Sequence, residues 1–340
     1  MIRLSIILPI YNISSKSFRS LQSLMQQVAQ GLEIIIVDDG SIDDSFDVVE
    51  NIIKSDDRVK LIQTSENKGV LEARLEGLRH SKGDWVGFLD ADDIALPLML
   101  DRMLVMADKY NPDIVICQSD RVSEDYEFIS HKIKFEKSYL CETKIFESFC
   151  NYGFGTPVLW NKLYRREIIS EWANIEMPWR QDVDEDFLVN IGAFQKAKSV
   201  YVLAETHHNY VLSDYGITTT ISKHEAFKQI FRSFSLAMSM YSNLSDSEIS
   251  MIIEVYRRKL SGSECVVNNI NDLPDYFSSL NESVLLVQKT RPYALALLAA
   301  RANIIDVGGF LAIGILINSF KRKFAEFRAR AISMFASKKV

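Results

Sequence analysis

Three clusters of carboxylates and one basic, glycine-led turn carry the chemistry that this sequence offers. In Ile36-Val37-Asp38-Asp39-Gly40-Ser41 an apolar run ends in two acids and a turn. Asp39 is suited to accept hydrogen bonds from a base or sugar edge, whereas Asp38 and Asp43 suit tying the turn and capping the next helix. In Phe88-Leu89-Asp90-Ala91-Asp92-Asp93, three carboxylates within four positions repel one another unless a cation compensates them. Hard oxygen donors favour Mg2+ or Mn2+, which take one or two protein carboxylates and fill their remaining positions with phosphate oxygens and water. A diphosphate-bearing ligand meets that requirement.

The glycine-led turn is Asn67-Lys68-Gly69-Val70-Leu71-Glu72-Ala73-Arg74. Its helix start favours an anion through free N–H groups and the dipole, with Lys68 and Arg74 adding charge, although an ordinary helix start reads the same way. The last cluster, Asp182-Val183-Asp184-Glu185-Asp186, opens another helix, where negative charge is stabilised whether or not it has a task. A carboxylate there could also act as general base on an acceptor hydroxyl.

The elements that must position these groups alternate along the chain. Ser5–Leu8, Ile34–Val37, Val59–Ile62, Trp85–Leu89 and Ile114–Cys117 read as strands, and amphipathic stretches such as Ser17–Val28, Leu71–Leu78 and Leu98–Met106 read as crossover helices. The pattern predicts an α/β fold, a three-layer and mainly parallel sheet whose ligand crevice lies beyond the carboxyl ends of the strands. A hairpin-like Ser123–Lys137 leads into a less regular second half with Leu159–Tyr164, a helical Val183–Ala193 and a strand at Val200–Leu203. From Lys223 onward the chain turns helical. We therefore expect one domain over 1–220, with halves 1–120 and 121–220, and a helical region over 221–340.

The formal charge of −6 is unevenly spread, because Lys321–Val340 holds seven Lys or Arg against Glu326 alone, leaving an acidic body. Such a body is a poor electrostatic partner for nucleic acid. The four cysteines lack metal-ligand or disulfide spacing, which fits a reducing compartment, and the N-terminus lacks a signal-peptide pattern. Val307–Ile317 is an apolar or glycine run of eleven residues, well short of the roughly 20 needed to span a bilayer. Phe320, Phe324, Phe327, Ala331 and Met334 share one helical face flanked by Arg and Lys. That stripe suits either an interfacial helix on an anionic membrane or a packed face within a protein assembly, including a homo-oligomer. On the membrane reading, deleting Lys321–Val340 moves the protein from a membrane pellet to the supernatant; unchanged partitioning rejects it.

Taken together, Ser5–Asn12, the Asp38–Ser41 turn, Asn67–Gly69, Asp90–Asp93, Trp160-Asn161-Lys162-Leu163-Tyr164 and Glu185-Asp186-Phe187 resemble the family 2 glycosyltransferases with the GT-A fold. The resemblance covers about residues 1–220, with every block in the family's order. It implies a sugar nucleotide donor, commonly a UDP-sugar, held by Pro9, Tyr11, Asn12, Asp39, Gly69, Arg74, Asp90 and Ala91. It implies a divalent ion, Mn2+ or Mg2+, on Asp92 and Asp90, and a base in the Glu185–Asp186 pair, with Asp186 the expected one, acting in an inverting displacement. Where the family often has Gly before that pair, this chain has Asp184. A saccharide or lipid-linked acceptor in surface polysaccharide synthesis, and a cytoplasmic protein peripheral to the inner membrane face, are further implications. Trp160 and Lys162 are candidates for shaping the acceptor pocket, and a core role for Trp160 is an equal account. His207 and His208 suit either a metal or phosphate contact or simple packing. Two alternatives are a nucleotidyltransferase, disfavoured because no basic glycine-rich loop comes early, and a non-catalytic sugar-nucleotide-binding scaffold. A dehydrogenase is disfavoured because Leu8-Pro9-Ile10-Tyr11 stands where a G-x-G-x-x-G turn would be.

Overall fold

The structure, a computed structural model, describes residues 2–13, 18–213, 220–262, 273–291, 293, 294, 297 and 298. It divides into two compact units, Met1–Thr219 and Thr220–Val340. The Val307–Ile317 run and the basic stripe beyond Phe320 lie outside the described residues.

The first unit begins with β1 (Leu4–Ile10), α1 (Phe18–Met25), β2 (Leu32–Asp38), α2 (Ser45–Ile53), β3 (Val59–Gln63), α3 (Val70–His80) and β4 (Trp85–Phe88). Every residue of β1 and β4 is buried. That explains the continuous Ile, Leu and Val runs, because strands covered on both faces have no polar side to show. β5 (Ile94–Ala95), α4 (Met99–Tyr110), β6 (Ile114–Val122), β7 (Phe128–Ile133), β8 (Tyr139–Cys141), α5 (Ile145–Cys150), β9 (Lys162–Arg165), α6 (Arg166–Ile169), α7 (Glu185–Lys196) and β10 (Val200–Val211) complete it.

One sheet runs in the order β3-β2-β1-β4-β9-β6-β10-β5, with β7 added on β6 and β8 on β10. The β3-β2-β1-β4 block is parallel, as is β6 with β10. The rest of the sheet adds short antiparallel strands to this mainly parallel frame. β9 lies antiparallel between β4 and β6, and β5, β7 and β8 also pair antiparallel, so the sheet is mixed. The apolar content that betrays a buried strand carries no information about its direction, and β5 and β8, at two and three residues, are too short to show a pattern.

The second unit contains α8 (Lys223–Met240), α9 (Asp246–Gly262) and α10 (Leu273–Thr290). Phe227, Phe231 and Phe234, spaced along one stripe of α8, are fully buried with Tyr256 of α9, whose hydroxyl lies 2.7 Å from Ser233 Oγ. Among the described residues no helix is long and apolar enough to cross a membrane.

Candidate active site

Parallel pairing brings the carboxyl ends of β1, β2 and β4 to one edge of the sheet, where Ile10 is level with Asp38 and Leu89 donates its N–H to Ile7 at 3.0 Å. Tyr11, just past β1, is 43 % exposed and offers an open ring face; Pro9 beneath it is buried. Asn12 braces the loop after β1 against the one after β2. Its N–H donates to Ser41 Oγ at 2.9 Å and its Oδ1 accepts from the Ile42 N–H at 3.0 Å.

The two acids after β2 divide their work. Asp38 accepts from the Ser41 N–H at 3.0 Å and from Gln63 Nε2 at 2.9 Å, which ties the turn. Asp39 spans the crevice to the next loop, accepting the Lys68 N–H at 3.0 Å and the Gly69 N–H at 2.7 Å. It thereby holds the amino end of α3 through the N–H groups of the two residues just ahead of the helix. Gly40 (φ +68°) permits this approach, because a Cβ there would lie 2.6 Å from the backbone of Glu66.

One turn into α3, Arg74 is 3 % exposed. Its Nη2 donates to Asp90 at 2.6 Å, and its Nη1 donates to Glu185 at 2.7 Å and to Asp186 at 2.9 Å. Sequence reasoning offered this arginine as extra charge for an anion. The structure instead places it among three carboxylates, one from the loop after β4 and two from the first turn of α7, a partnership no spacing reveals. Burial works against its charge, but the fields of Asp90, Asp186 and Glu185 hold the guanidinium well above its ordinary value.

One positive charge cannot neutralise three negative ones. Burial, then Asp186, pushes Glu185 up to about 8 even with Arg74 opposing. Burial also raises Asp186, with Asp90 adding to the rise and Arg74 and Lys162 working against it. A buried carboxyl lifted toward neutrality has the character of a general base. Asp184, ahead of the pair, is the N-cap of α7 with φ +66°. The Gly common at this point in the family suits that left-handed backbone, and Asp is among the few other residues that adopt it readily. Both Glu185 and Asp186 thus turn toward Arg74.

In the loop after β4, Ala91 is half-buried, and Asp90 accepts from Ser20 Oγ through its backbone carbonyl at 2.9 Å. Asp92 is exposed as a residue, yet its carboxyl group is largely enclosed. Desolvation, then Asp93 and Asp90, raises it to about 8. Such uncompensated negative charge on hard oxygens fits a divalent cation. Among the described residues no group of three or more His, Cys, Asp or Glu is arranged to hold an ion unaided. Asp92, supported by Asp90, therefore suits an ion whose remaining positions are filled by phosphate and water.

Asp93 is turned away from this edge. It is fully buried, accepts the Val211 N–H at 3.1 Å, and its Oδ2 lies 3.4 Å from His208 Nε2. His208 is also fully buried, with Nδ1 3.0 Å from Ser119 Oγ and its ring stacked on Trp160 at 4.0 Å between centroids. Burial pushes this imidazole down to about 3 and Asp93 well up. Both shifts favour the neutral forms. His208 is thus a packing residue, and His207 is occupied at 2.9 Å by Glu205.

Trp160 and Lys162 are each only 2 % exposed. Lys162 Nζ donates to Val158 O at 2.6 Å, Asn161 Oδ1 at 2.8 Å and Thr156 O at 3.3 Å. Burial draws its ammonium down to about 7, while Asp186 works the other way; three acceptors also favour the charged form. As placed, neither side chain presents a face to an acceptor, and the core account describes Trp160. Sequence reasoning also missed Asn190, one turn after Asp186 on α7, whose Nδ2 donates to the Asp186 carbonyl at 2.9 Å and whose Oδ1 accepts from Tyr164 at 2.8 Å. The i, i+4 spacing was the available signal.

Residues 5–172 match the family described as Glycosyl transferase family 2. Over 243 residues the chain is 28% identical to the uncharacterized glycosyltransferase EpsJ of Bacillus subtilis, covering 70% of each. Over 277 residues it is 25% identical to the succinoglycan biosynthesis protein ExoO of Rhizobium meliloti, covering 74% of this chain and 77% of that one. Among solved structures, residues 1–349 of S. aureus TarS in complex with UDP-GlcNAc superpose with a TM-score of 0.67 at 20% identity, over 87% of this chain and 84% of that one.

Proposed function

Because the chain belongs to glycosyl transferase family 2 and is a glycosyltransferase with the GT-A fold, we propose that it moves a sugar from a UDP-sugar to an acceptor hydroxyl with inversion at the anomeric carbon. The observation that carries this reading is the Arg74 cluster. One guanidinium joins Asp90, from the loop that would hold the leaving diphosphate, to Glu185 and Asp186, which would receive the acceptor. Support for a UDP-sugar comes from the fold shared with a protein solved with UDP-GlcNAc, and support for a polysaccharide acceptor from the likeness to ExoO.

In this mechanism Tyr11 stacks the base, and Asp39 keeps the start of α3 beside the nucleotide. Asp92 and Asp90 hold Mg2+ or Mn2+, which when bound offsets negative charge on the diphosphate. Asp186 accepts the proton of the acceptor hydroxyl as its oxygen bonds to the anomeric carbon and the bond to the diphosphate breaks. Arg74 aims that carboxylate and keeps Asp90 in line with it. A single displacement leaves no sugar on the protein.

The test is product analysis over a panel of UDP-sugars and saccharide acceptors, with the anomeric configuration read by NMR. Wild type should release UDP and form the inverted linkage. Asp186→Asn should lower transfer by about 10²- to 10⁴-fold, the usual weight of a general base, while still binding UDP. Pyrophosphate release, a retained configuration or undiminished turnover in Asp186→Asn would overturn the mechanism.

A further inference from the structure

Beyond the Arg74 cluster, one face of the second half of the sheet carries two cations that form no ion pair among the described residues. Arg121 on β6 is level with Tyr210 on β10 and with Ser130 on β7, so these three side chains share a face. Lys132 sits at the irregular step of β7 between His131 and Ile133, and its contact with Tyr210 brings it to the same face. Its Nζ lies 4.7 Å from the centre of the Tyr210 ring, a cation–π contact. Tyr210 is in turn 5.9 Å from Trp160, the ring stacked on His208 behind the acidic loop. Arg121, Lys132 and Tyr210 are all half-buried, and so reachable from solvent.

The electrostatics are those of a site awaiting an anion. Burial, and then the nearby Arg121 charge, lowers the Lys132 ammonium from its ordinary value. Among the described residues neither cation forms an ion pair; Arg121 makes one long contact to Ser130 Oγ at 3.5 Å. Asp93 is the carboxylate whose field Lys132 feels, but its oxygens are turned inward to Val211 and His208. Two like charges held together on neighbouring strands destabilise the fold unless something compensates them. An external phosphate or carboxylate would take hydrogen bonds from both, with the Tyr210 ring flanking it.

We propose that Arg121, Lys132 and Tyr210 form a subsite for an anionic group, phosphate or carboxylate, on the sugar acceptor. The inference rests on the transferase reading, since it places this face on the acceptor side of the Asp90–Asp93 loop. Its consequence is selectivity: acceptors that bear a negative charge near the accepting sugar are preferred over neutral ones of the same shape.

The experiment uses the full chain with Mg2+ and saturating UDP, so that the donor pocket is filled, and titrates glucose 6-phosphate, glucuronate and glucose separately by calorimetry. At least one anionic probe should bind ten or more times tighter than glucose, and which one does identifies phosphate or carboxylate. The Arg121→Gln/Lys132→Met double variant should lose that advantage while binding UDP like wild type. Equal binding of glucose, or an undiminished advantage in a double variant that still binds UDP, overturns the subsite. Should the double variant fail to bind UDP, Lys132→Arg and Arg121→Lys are compared instead, each keeping the charge and at least half of the wild-type advantage if the subsite is real. A separate UDP titration of wild type keeps the two readings apart. No UDP binding there sinks the donor assignment, and the anion titration without UDP still decides the patch.

Discussion

Arg74 and Asp186, 112 residues apart in the chain, meet at 2.9 Å through the same amino group that binds Glu185. The other amino group holds Asp90 at 2.6 Å. The two regions of chain to which the proposed mechanism gives opposite tasks are thus fixed to one rigid plane. Arg74→Lys keeps the charge but loses the fork, so the carboxylates can no longer share one planar donor. Folded protein with transfer lowered about 100-fold is expected, the scale associated with ångström-level misplacement. Arg74→Met leaves a buried acidic cluster without its cation and should cost about 3–5 kcal/mol in urea unfolding. Wild-type stability in Arg74→Met would show that the cluster does not depend on the arginine.

Gly69 gives a second test, at the junction between Asp39 and α3. Its φ of +96° belongs to glycine, and a Cβ there would run into the Asp182 carboxylate and lie 3.2 Å from Arg180 Cγ. Arg180 Nη1 reaches back to Asn67 Oδ1 at 2.6 Å, so the segment around 180–182 rests on this turn. Gly69→Ala should lower stability by about 1–3 kcal/mol from backbone strain and weaken UDP binding. Thermal unfolding and a UDP titration read the two effects, and no change in either would show that the turn relaxes freely.

The buried Asp93–His208 pair makes stability depend on pH with a definite sign. The carboxyl is raised well above 3.8 and the imidazole is lowered from 6.5 to about 3, so the folded pair keeps one proton, on Asp93. Between roughly pH 4 and 6.5 the unfolded chain also holds one, on the imidazole, and the pair's contribution is flat. Above that range the unfolded pair holds none, and where Asp93 stays protonated stability falls as pH rises, by about 1.4 kcal/mol per unit for one proton. Below pH 4 the unfolded pair holds two, and stability falls as pH drops. Asp93→Asn fixes a neutral donor in place, so its alkaline decline should vanish while His208 makes it lose stability on acidification from pH 6.5. Unfolding curves from pH 4 to 8 that are parallel for the two proteins would refute this proton placement.

β1, β2 and β4 were legible because these strands are covered on both faces. Ile34–Val37 and Trp85–Phe88 declare themselves as apolar runs, and α3 and α4 by their helical stripes. β9 was seen only as an apolar stretch. Its antiparallel placement between β4 and β6 depends on partners distant in sequence, about which local periodicity is silent. Trp160 and Lys162 were candidates for the acceptor pocket through the family resemblance, with a core role an equal account of Trp160. Their burial follows from the strands that close over them.

The sequence alone determined which residue types are present and where along the chain they sit: acids at strand ends, a glycine before a helix, a carboxylate pair opening another. Those features are local, set by side-chain chemistry and by the conformations that neighbouring residues allow. Tertiary structure decided which charges meet. It put Arg74 among Asp90, Glu185 and Asp186, turned Asp93 inward to His208, and left Arg121 and Lys132 side by side. Charge pairing depends on distance and on the exclusion of water, and both come into being only when strands far apart in the chain are laid next to one another.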